Sequence, residues 1–376
     1  MTAIRATGMS VAEPTLYVGF ELSAKEWKLA MTSGFGVAPW IQTVRAGDLG
    51  AVTRLLTRAR ARLHLPATAG VVSCYEAGRD GFWIHRALTV ISVSNRVVDS
   101  ASIEVNRRAR RAKTDRIDAQ KLVMMLVRVC QGEQNVWREV RVPSVEAESA
   151  RHGSRERRQL KQEETRLVNQ MRSWITTWGG RLPKRRVGDW WTTVTDWSGA
   201  VLPAPVQARL GRAQARLAVI TAQLGALDQA QQTAVAAAPA ASPLRRLVQL
   251  KGVAATGATS LLEEGLVWRA FQNRREVGGY LGFRPMPFRS GQLELDQGID
   301  LAGNMRLRGL ALQLAWSWVR WQPTSALTQW FQSNFGGRGK RARRIGIVAV
   351  ARKLLIALWR CATTGEVPTG AIVKVA

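Results

Sequence analysis

Hydrophobic runs in the first hundred residues constrain the fold of this sequence more than any other feature. Three β-type runs follow one another directly, at residues 15–22, 27–32 and 40–44. Helical and strand-like stretches then alternate. They are an amphipathic helix at 48–63, a buried strand at 69–78, a helix at 81–88 and a strand at 89–94. This order predicts a mixed α/β sheet covered by helices.

The residues after Lys113 predict a further helix, over 114–130. Thr114 is a suitable N-cap for it. Its apolar residues form one stripe, made of Ile117, Leu122, Met125 and Leu126. This helix follows directly on a run of cations.

The middle of the chain predicts two long helices, at about 144–178 and 206–238, separated by a glycine- and proline-containing segment. An antiparallel pair or a protruding coiled coil that mediates self-association is one interpretation. An ordinary helical linker is the other, and the sequence does not separate them.

The remaining third predicts a mainly α domain interrupted by a long polar loop over residues 284–304. The predicted domain organisation has four parts. They are a leader at 1–13, an α/β domain at 14–140, a helical segment at 141–240 and a C-terminal domain at 241–376.

Charge composition predicts a polyanionic partner. The chain has 55 Lys and Arg against 27 Asp and Glu, a formal net charge of +28 and a pI near 11.5. A membrane is the competing polyanion. Arg352 and Lys353 interrupt the best apolar segment, at 345–362, and the N-terminus has no apolar signal region. We therefore expect no membrane span and a cytoplasmic location.

Two basic clusters are predicted to bind nucleic-acid phosphates. The first contains Arg107, Arg108, Arg110, Arg111, Lys113 and Arg116; the second contains Arg338, Lys340, Arg341, Arg343 and Arg344. A non-catalytic nucleic-acid-binding protein would also have such clusters. That alternative predicts binding without any strand cleavage.

Four acids are candidate ligands for a divalent metal. Asp115 and Asp118 are three residues apart in the first turn of a predicted helix, and therefore share one face. Glu76 ends a buried strand, and Glu21 lies in an apolar strand, where an unpaired acid is costly. With three Cys and three His in the chain, carboxylates would supply most ligands, which favours Mg²⁺ or Mn²⁺. Each acid taken singly also fits a solvated position.

Three segments, "YVGFELSAKEWKLAM", "CYEAGRDGFWIHRAL" and "RRAKTDRIDAQKL", occur in this order and resemble the DEDD transposases of insertion sequences. The C-terminal half agrees with this resemblance. "LKGVAATGATSLLEEG" resembles the helix-hairpin-helix-like opening of the family's second domain, and residues 271–316 resemble its signature region. The resemblance implies an RNase H-like (RuvC-like) N-terminal domain whose four acids bind metal at Glu21, Glu76, Asp115 and Asp118. The family normally has aspartate at the first position, where this chain has Glu21.

The resemblance also implies a serine nucleophile, Ser290, which forms a covalent phosphoserine link to DNA, and phosphate clamps at Arg306 and Arg308. It implies donor-end and target DNA as substrates, a structured guide RNA, and a prokaryotic, DNA-associated protein. Because the acids and the serine lie in different predicted domains, we expect a composite site and a homodimer or homotetramer. A resolvase-type endonuclease, with the same acids and water as nucleophile, is the closest alternative reaction.

Overall fold

The computed structural model describes residues 13–103, 115–290 and 293–374; side chains are described except at Ala101, Asp115 and residues 287–297. The chain divides into two compact units between Val142 and Pro143. The two long helices belong to the same unit as the C-terminal segment.

The N-terminal unit is built on a five-stranded mixed sheet. Its strands are β1 (Thr15–Leu22), β2 (Glu26–Thr32), β3 (Trp40–Arg45), β4 (Gly70–Glu76) and β5 (Val93–Val98). They are arranged in the order β3-β2-β1-β4-β5. The first three pair antiparallel, while β4 is parallel to both β1 and β5. The predicted mixed α/β sheet is therefore confirmed.

Among the described residues of this unit, three α-helices cover the sheet, α1 (Leu49–Arg62), α2 (Trp83–Val90) and α3 (Asp115–Cys130). Successive side chains of a strand point to opposite faces. In β1, Leu16, Val18 and Phe20 pack with α1 and α2, whereas Tyr17 packs against α3. The alternation in β1 thus explains why helices lie on both faces.

Gly19 allows α3 to lie directly on β1. A Cβ atom at this position would be 2.7 Å from the backbone nitrogen of Val123 and 2.8 Å from the carbonyl oxygen of Ala119. Contacts this short force the backbone of the helix or the strand to move. The start of α3 is therefore held in place by the absence of a side chain at position 19.

Gly19→Ala is accordingly expected to destabilise the N-terminal unit by about 2 kcal/mol and to weaken amide-exchange protection in α3. Urea denaturation and hydrogen exchange would measure these two effects. Gly70→Ala is the matched control, since a Cβ atom there meets nothing within 4 Å. Equal stability of the two variants would contradict the expectation.

The strand predicted at 89–94 is wrong in its first half. Residues 89 and 90 continue α2, and β5 begins only at Val93. Ser92 adopts a left-handed conformation with φ of 60°, which ends the helix and turns the chain into the strand. The apolar residues at 89–94 are compatible with the end of a helix as well as with a strand, so their pattern did not distinguish the two.

The C-terminal unit is mainly helical. Its helices are α4 (Val145–Thr176), α5 (Ala204–Ala237), α6 (Pro243–Val248), α7 (Ala255–Leu261), α8 (Arg274–Tyr280), α9 (Met305–Trp321), α10 (Ala326–Phe331) and α11 (Lys340–Thr364). Its core surrounds α11, whose buried side chains pack against α6 to α10. No described helix is both long enough and apolar enough to span a bilayer.

The helices α4 and α5 form an antiparallel pair. Arg157 in the first half of α4 pairs with Asp228 in the second half of α5 at 2.5 Å. At the other end, the guanidinium of Arg209 lies 3.9 Å from the centre of the Trp174 ring. The two helices therefore pair antiparallel, whereas a coiled coil and self-association through it stay predictions.

The loop predicted over 284–304 is wrong in its central part. Residues Pro285–Ser290 form β6 and Leu293–Ile299 form β7, paired antiparallel. Two prolines in the first strand favoured a loop, but they lie beside an irregularity in the register, where proline is tolerated. The predicted loop is therefore a β-hairpin.

Candidate functional site

Glu21 and Glu76 occupy neighbouring positions at one edge of the sheet. The parallel register of β1 and β4 pairs Phe20 with Tyr75, and the glutamates are the next residue along each strand. With Asp80, they line a cavity of 370 Å³. Glu21 is half-buried and Glu76 is exposed. Two carboxylates on one small cavity repel each other unless a cation lies between them.

The helix α3 runs antiparallel to β1. Tyr17, early in β1, packs in the same cluster as Cys130 at the end of α3, and burial together with this thiol raises the pKa of Tyr17. Gly19, two residues later, lies beneath Ala119 near the start of α3. Later residues of β1 therefore lie against earlier residues of α3, so the end of β1 lies toward the first turn of α3.

That first turn carries Asp115 and Asp118, so the backbone places the start of α3 at the same edge as Glu21 and Glu76. Asp118 is half-buried, and the side chain of Asp115 lies outside the described residues. No three described His, Cys, Asp or Glu side chains are close enough to one another to hold a metal ion. The donor set at this edge is made of carboxylate oxygens, which Mg²⁺ and Mn²⁺ prefer.

Ser290 is the last residue of β6 and pairs with Leu293 across the hairpin. Residues 291–292, which include Gly291, lie outside the described residues, as does the side chain of Ser290. The backbone thus places Ser290 in the last residue pair of the β6–β7 hairpin.

The two basic clusters differ in how much of them is described. Arg107, Arg108, Arg110, Arg111 and Lys113 lie outside the described residues, whereas Arg116 is exposed in the first turn of α3. The second cluster is exposed where α11 begins, and it comprises Arg338, Lys340, Arg341, Arg343 and Arg344. These positive side chains lie at the positive end of the α11 dipole, so a bound anion would reduce the repulsion between the side chains and the dipole.

Arg306 and Arg308 occupy different environments in the first turns of α9. Arg306 is exposed and lines a groove. Arg308 donates from Nη1 to the carbonyl oxygens of Leu281 at 3.0 Å and Leu301 at 2.9 Å. Arg308 therefore ties together the two ends of the hairpin region, and phosphate binding by either arginine stays a prediction.

Glu264 is a buried carboxylate that the sequence analysis missed, with a side chain only 6% exposed. Arg155 donates two hydrogen bonds to it, at 2.8 and 3.0 Å, and Asn304 donates a third at 3.3 Å. Burial raises the pKa of this carboxyl, but the bonds from Arg155 and Asn304 outweigh it, and the pKa lies below its ordinary value. The residues next to Glu264 in the sequence, Glu263 and Gly265, do not indicate that Arg155 and Asn304 are its partners. Only the fold brings these distant residues close to it.

Asn304 links this ion pair to α9. Its side-chain oxygen caps the helix by accepting from the backbone N–H groups of Arg306, at 3.0 Å, and Leu307, at 3.1 Å. Its amide also lies 2.9 Å from the hydroxyl of Tyr280. Asn304 is therefore a helix cap that is also bonded to the buried carboxylate of Glu264.

Glu264→Gln is expected to lower the free energy of unfolding by about 2 kcal/mol at neutral pH, because Arg155 loses its charged partner. Since the folded-state pKa of Glu264 is lowered, its contribution is present above the ordinary carboxyl pKa of 4.5 and is lost as the pH falls through the lowered value. The difference in the free energy of unfolding between Glu264→Gln and the unaltered protein should therefore decrease at acidic pH. Chemical denaturation at several pH values would measure it.

Glu366→Gln is the control for this experiment. Glu366 makes an exposed ion pair with Arg360 at 4.0 Å, which is expected to contribute less than about 0.5 kcal/mol. Losses of the same size in both variants would show that the buried pair adds no particular stability.

Comparison with known proteins agrees with the C-terminal signature and with the chain as a whole. The family model described as Transposase IS116/IS110/IS902 family matches residues 244–329, which include α7 to α9, the β6–β7 hairpin and all but the first residue of α6. A protein of Sinorhizobium fredii named "Putative transposase y4rJ" is 37% identical over 395 residues, which cover 98% of this chain and 97% of that protein. Because this similarity covers nearly all of both chains, the whole sequence belongs to the IS116/IS110/IS902 family of transposases.

Proposed function

We propose that this transposase excises and inserts its element by phosphoryl transfer on DNA, in which Ser290 is the nucleophile. Glu21, Glu76, Asp115 and Asp118 would hold the divalent metal. The observation that carries the proposal is the placement of Glu21 and Glu76 at adjacent strand ends on one cavity, with the start of α3 at the same edge. An RNase H-like fold for the N-terminal unit is part of the proposal, supported by three antiparallel strands followed by parallel strands that alternate with helices.

Ser290 would perform the covalent step. Its Oγ attacks phosphorus, a new Oγ–P bond forms, and the bond from phosphorus to one sugar oxygen breaks. The serine proton passes to a base or to solvent, and the leaving oxygen takes up a proton. Metal ions, when bound, supply positive charge that stabilises the attacking and leaving oxygens. The attack of a strand end on the phosphoserine reverses the first step and rejoins DNA.

We also propose a structured guide RNA and a homodimer or homotetramer as partners. A net charge of +28 favours the binding of polyanions, RNA as well as DNA. The antiparallel pair of α4 and α5 is the surface on which self-association would be sought first.

A trapping assay tests the proposal. The protein is incubated with labelled element-end DNA, candidate guide RNA and Mg²⁺, and is then denatured and digested. We expect DNA attached covalently to the peptide that contains Ser290. Free cleaved strands without an adduct would instead indicate a resolvase-type reaction with water as nucleophile.

A further inference from the structure

A long groove in the C-terminal unit lies between α4 on one side and α7 and α9 on the other. Its volume is 1020 Å³. Its lining residues belong neither to the sheet edge that carries Glu21 and Glu76 nor to the β6–β7 hairpin. We propose that this groove binds a single strand of DNA through its phosphate backbone. The inference is independent of the metal and of Ser290.

The dimensions of the groove fit one strand. Its lining along α4 extends from Ser154 to Ser173, a span of about 28 Å at roughly 1.5 Å per residue. A volume of 1020 Å³ distributed over that length corresponds to a mean width below about 10 Å. A double helix is too wide to enter, since its major groove alone is about 12 Å across.

The charge of the groove fits a polyanion. Six cations line it, namely Arg155, Arg157, Arg158, Lys161, Arg166 and Arg306. Among its lining residues, all of them described, Glu264 is the one acid, and Arg155 already neutralises it. Arg157 and Lys161 are paired with Asp228 and Glu164, which do not line the groove. A positively charged groove that follows the backbone is a common way to bind a single strand.

Arg158 and Arg166 are the cations best placed to bind an incoming anion. Both are exposed, and no ion pair is formed by either within the described parts of the chain. They are eight residues apart on the same face of α4, a rise of about 12 Å. Phosphates several nucleotides apart on one strand would reach both.

The opposite wall would let the backbone approach closely. It includes Gly309, where an added Cβ atom would meet nothing within 4 Å, and neutral polar groups such as Gln313 and Ser317. Hydroxyl and amide groups bond phosphate and sugar oxygens without selecting a base sequence. We commit to DNA because transposases of this family act on DNA.

Blocking the groove without changing its charge is the sharpest test. Gly309→Phe places a ring in the groove, where an added Cβ atom meets nothing within 4 Å. Gly225→Phe is the matched control, on the exposed surface of α5 with equally open space and outside the groove. Binding of a labelled single-stranded DNA to the full chain is measured by anisotropy in EDTA, so that no cleavage intervenes. We expect the Kd to rise at least tenfold for Gly309→Phe and less than twofold for Gly225→Phe.

A charge test supplies the second measurement. Arg158→Gln with Arg166→Gln removes two groove cations, and Arg212→Gln with Arg216→Gln removes two exposed cations of α5 that do not line the groove. The first pair is expected to raise the Kd about tenfold and to reduce the slope of log K against log salt by about 1.4, because each lost phosphate contact contributes about 0.7. The control pair should change the slope by much less. Thermal unfolding confirms that all four variants fold.

The same four variants are tested with duplex DNA and with RNA of equal length. The inference stands if single-stranded DNA loses affinity in the groove variants alone. It is overturned if the groove variants and their controls lose equal affinity, or if binding of duplex DNA or RNA falls while that of single-stranded DNA does not. Because no metal is present, loss of the proposed serine chemistry would leave these results unchanged.

Discussion

Ser290→Ala is expected to eliminate the covalent protein–DNA adduct and to lower strand transfer by about 10³-fold or more, because removal of a nucleophile abolishes the covalent step. DNA binding should change little, since the serine hydroxyl contributes no charge. Gel analysis after denaturation measures the adduct, and anisotropy measures binding.

Ser333→Ala is the control for this variant. Ser333 is an exposed serine of the same unit, shortly after α10, and its hydroxyl donates to the Gln329 carbonyl oxygen of that helix. The control should form adduct as the unaltered protein does. If Ser290→Ala still cleaves at the unaltered rate, water is the nucleophile and the serine assignment is wrong.

Glu76→Gln is expected to reduce Mg²⁺-dependent cleavage by about 10²- to 10³-fold, because the amide keeps the shape of the side chain but removes a negative ligand from the sheet edge. Higher Mg²⁺ concentrations should recover part of the rate if metal affinity is what was lost. In EDTA, the variant and the unaltered protein should bind DNA equally. Single-turnover cleavage over a range of Mg²⁺ concentrations measures both effects.

Glu139→Gln supplies the comparison within the same unit. Glu139 is exposed and pairs with Arg96 at 2.9 Å, away from the cavity that Glu76 lines. Its removal should leave cleavage nearly unchanged. If cleavage by Glu76→Gln is also unchanged at every Mg²⁺ concentration, Glu76 does not act at the reacting phosphate.

Local patterns in the sequence were enough to predict several parts of this protein. Apolar β-type runs identified β1 to β4, and the helical period identified α3 with both aspartates in its first turn. Net charge predicted a polyanionic partner, which agrees with a transposase. These properties depend on neighbouring residues or on simple sums, so no knowledge of the fold was required.

Only the tertiary structure decided which distant residues meet. Glu21 and Glu76 are more than fifty positions apart, and they become neighbours because β4 pairs in parallel with β1 in one particular register. Arg155 and Glu264 are 109 positions apart, and their pairing depends on where α4 packs. The groove likewise exists only where α4, α7 and α9 come together. Strand register and helix packing depend on how well all the contacting surfaces fit together, and a local sequence pattern does not contain this information. The sequence was therefore sufficient to identify the acids, and the fold determined which residues lie next to them.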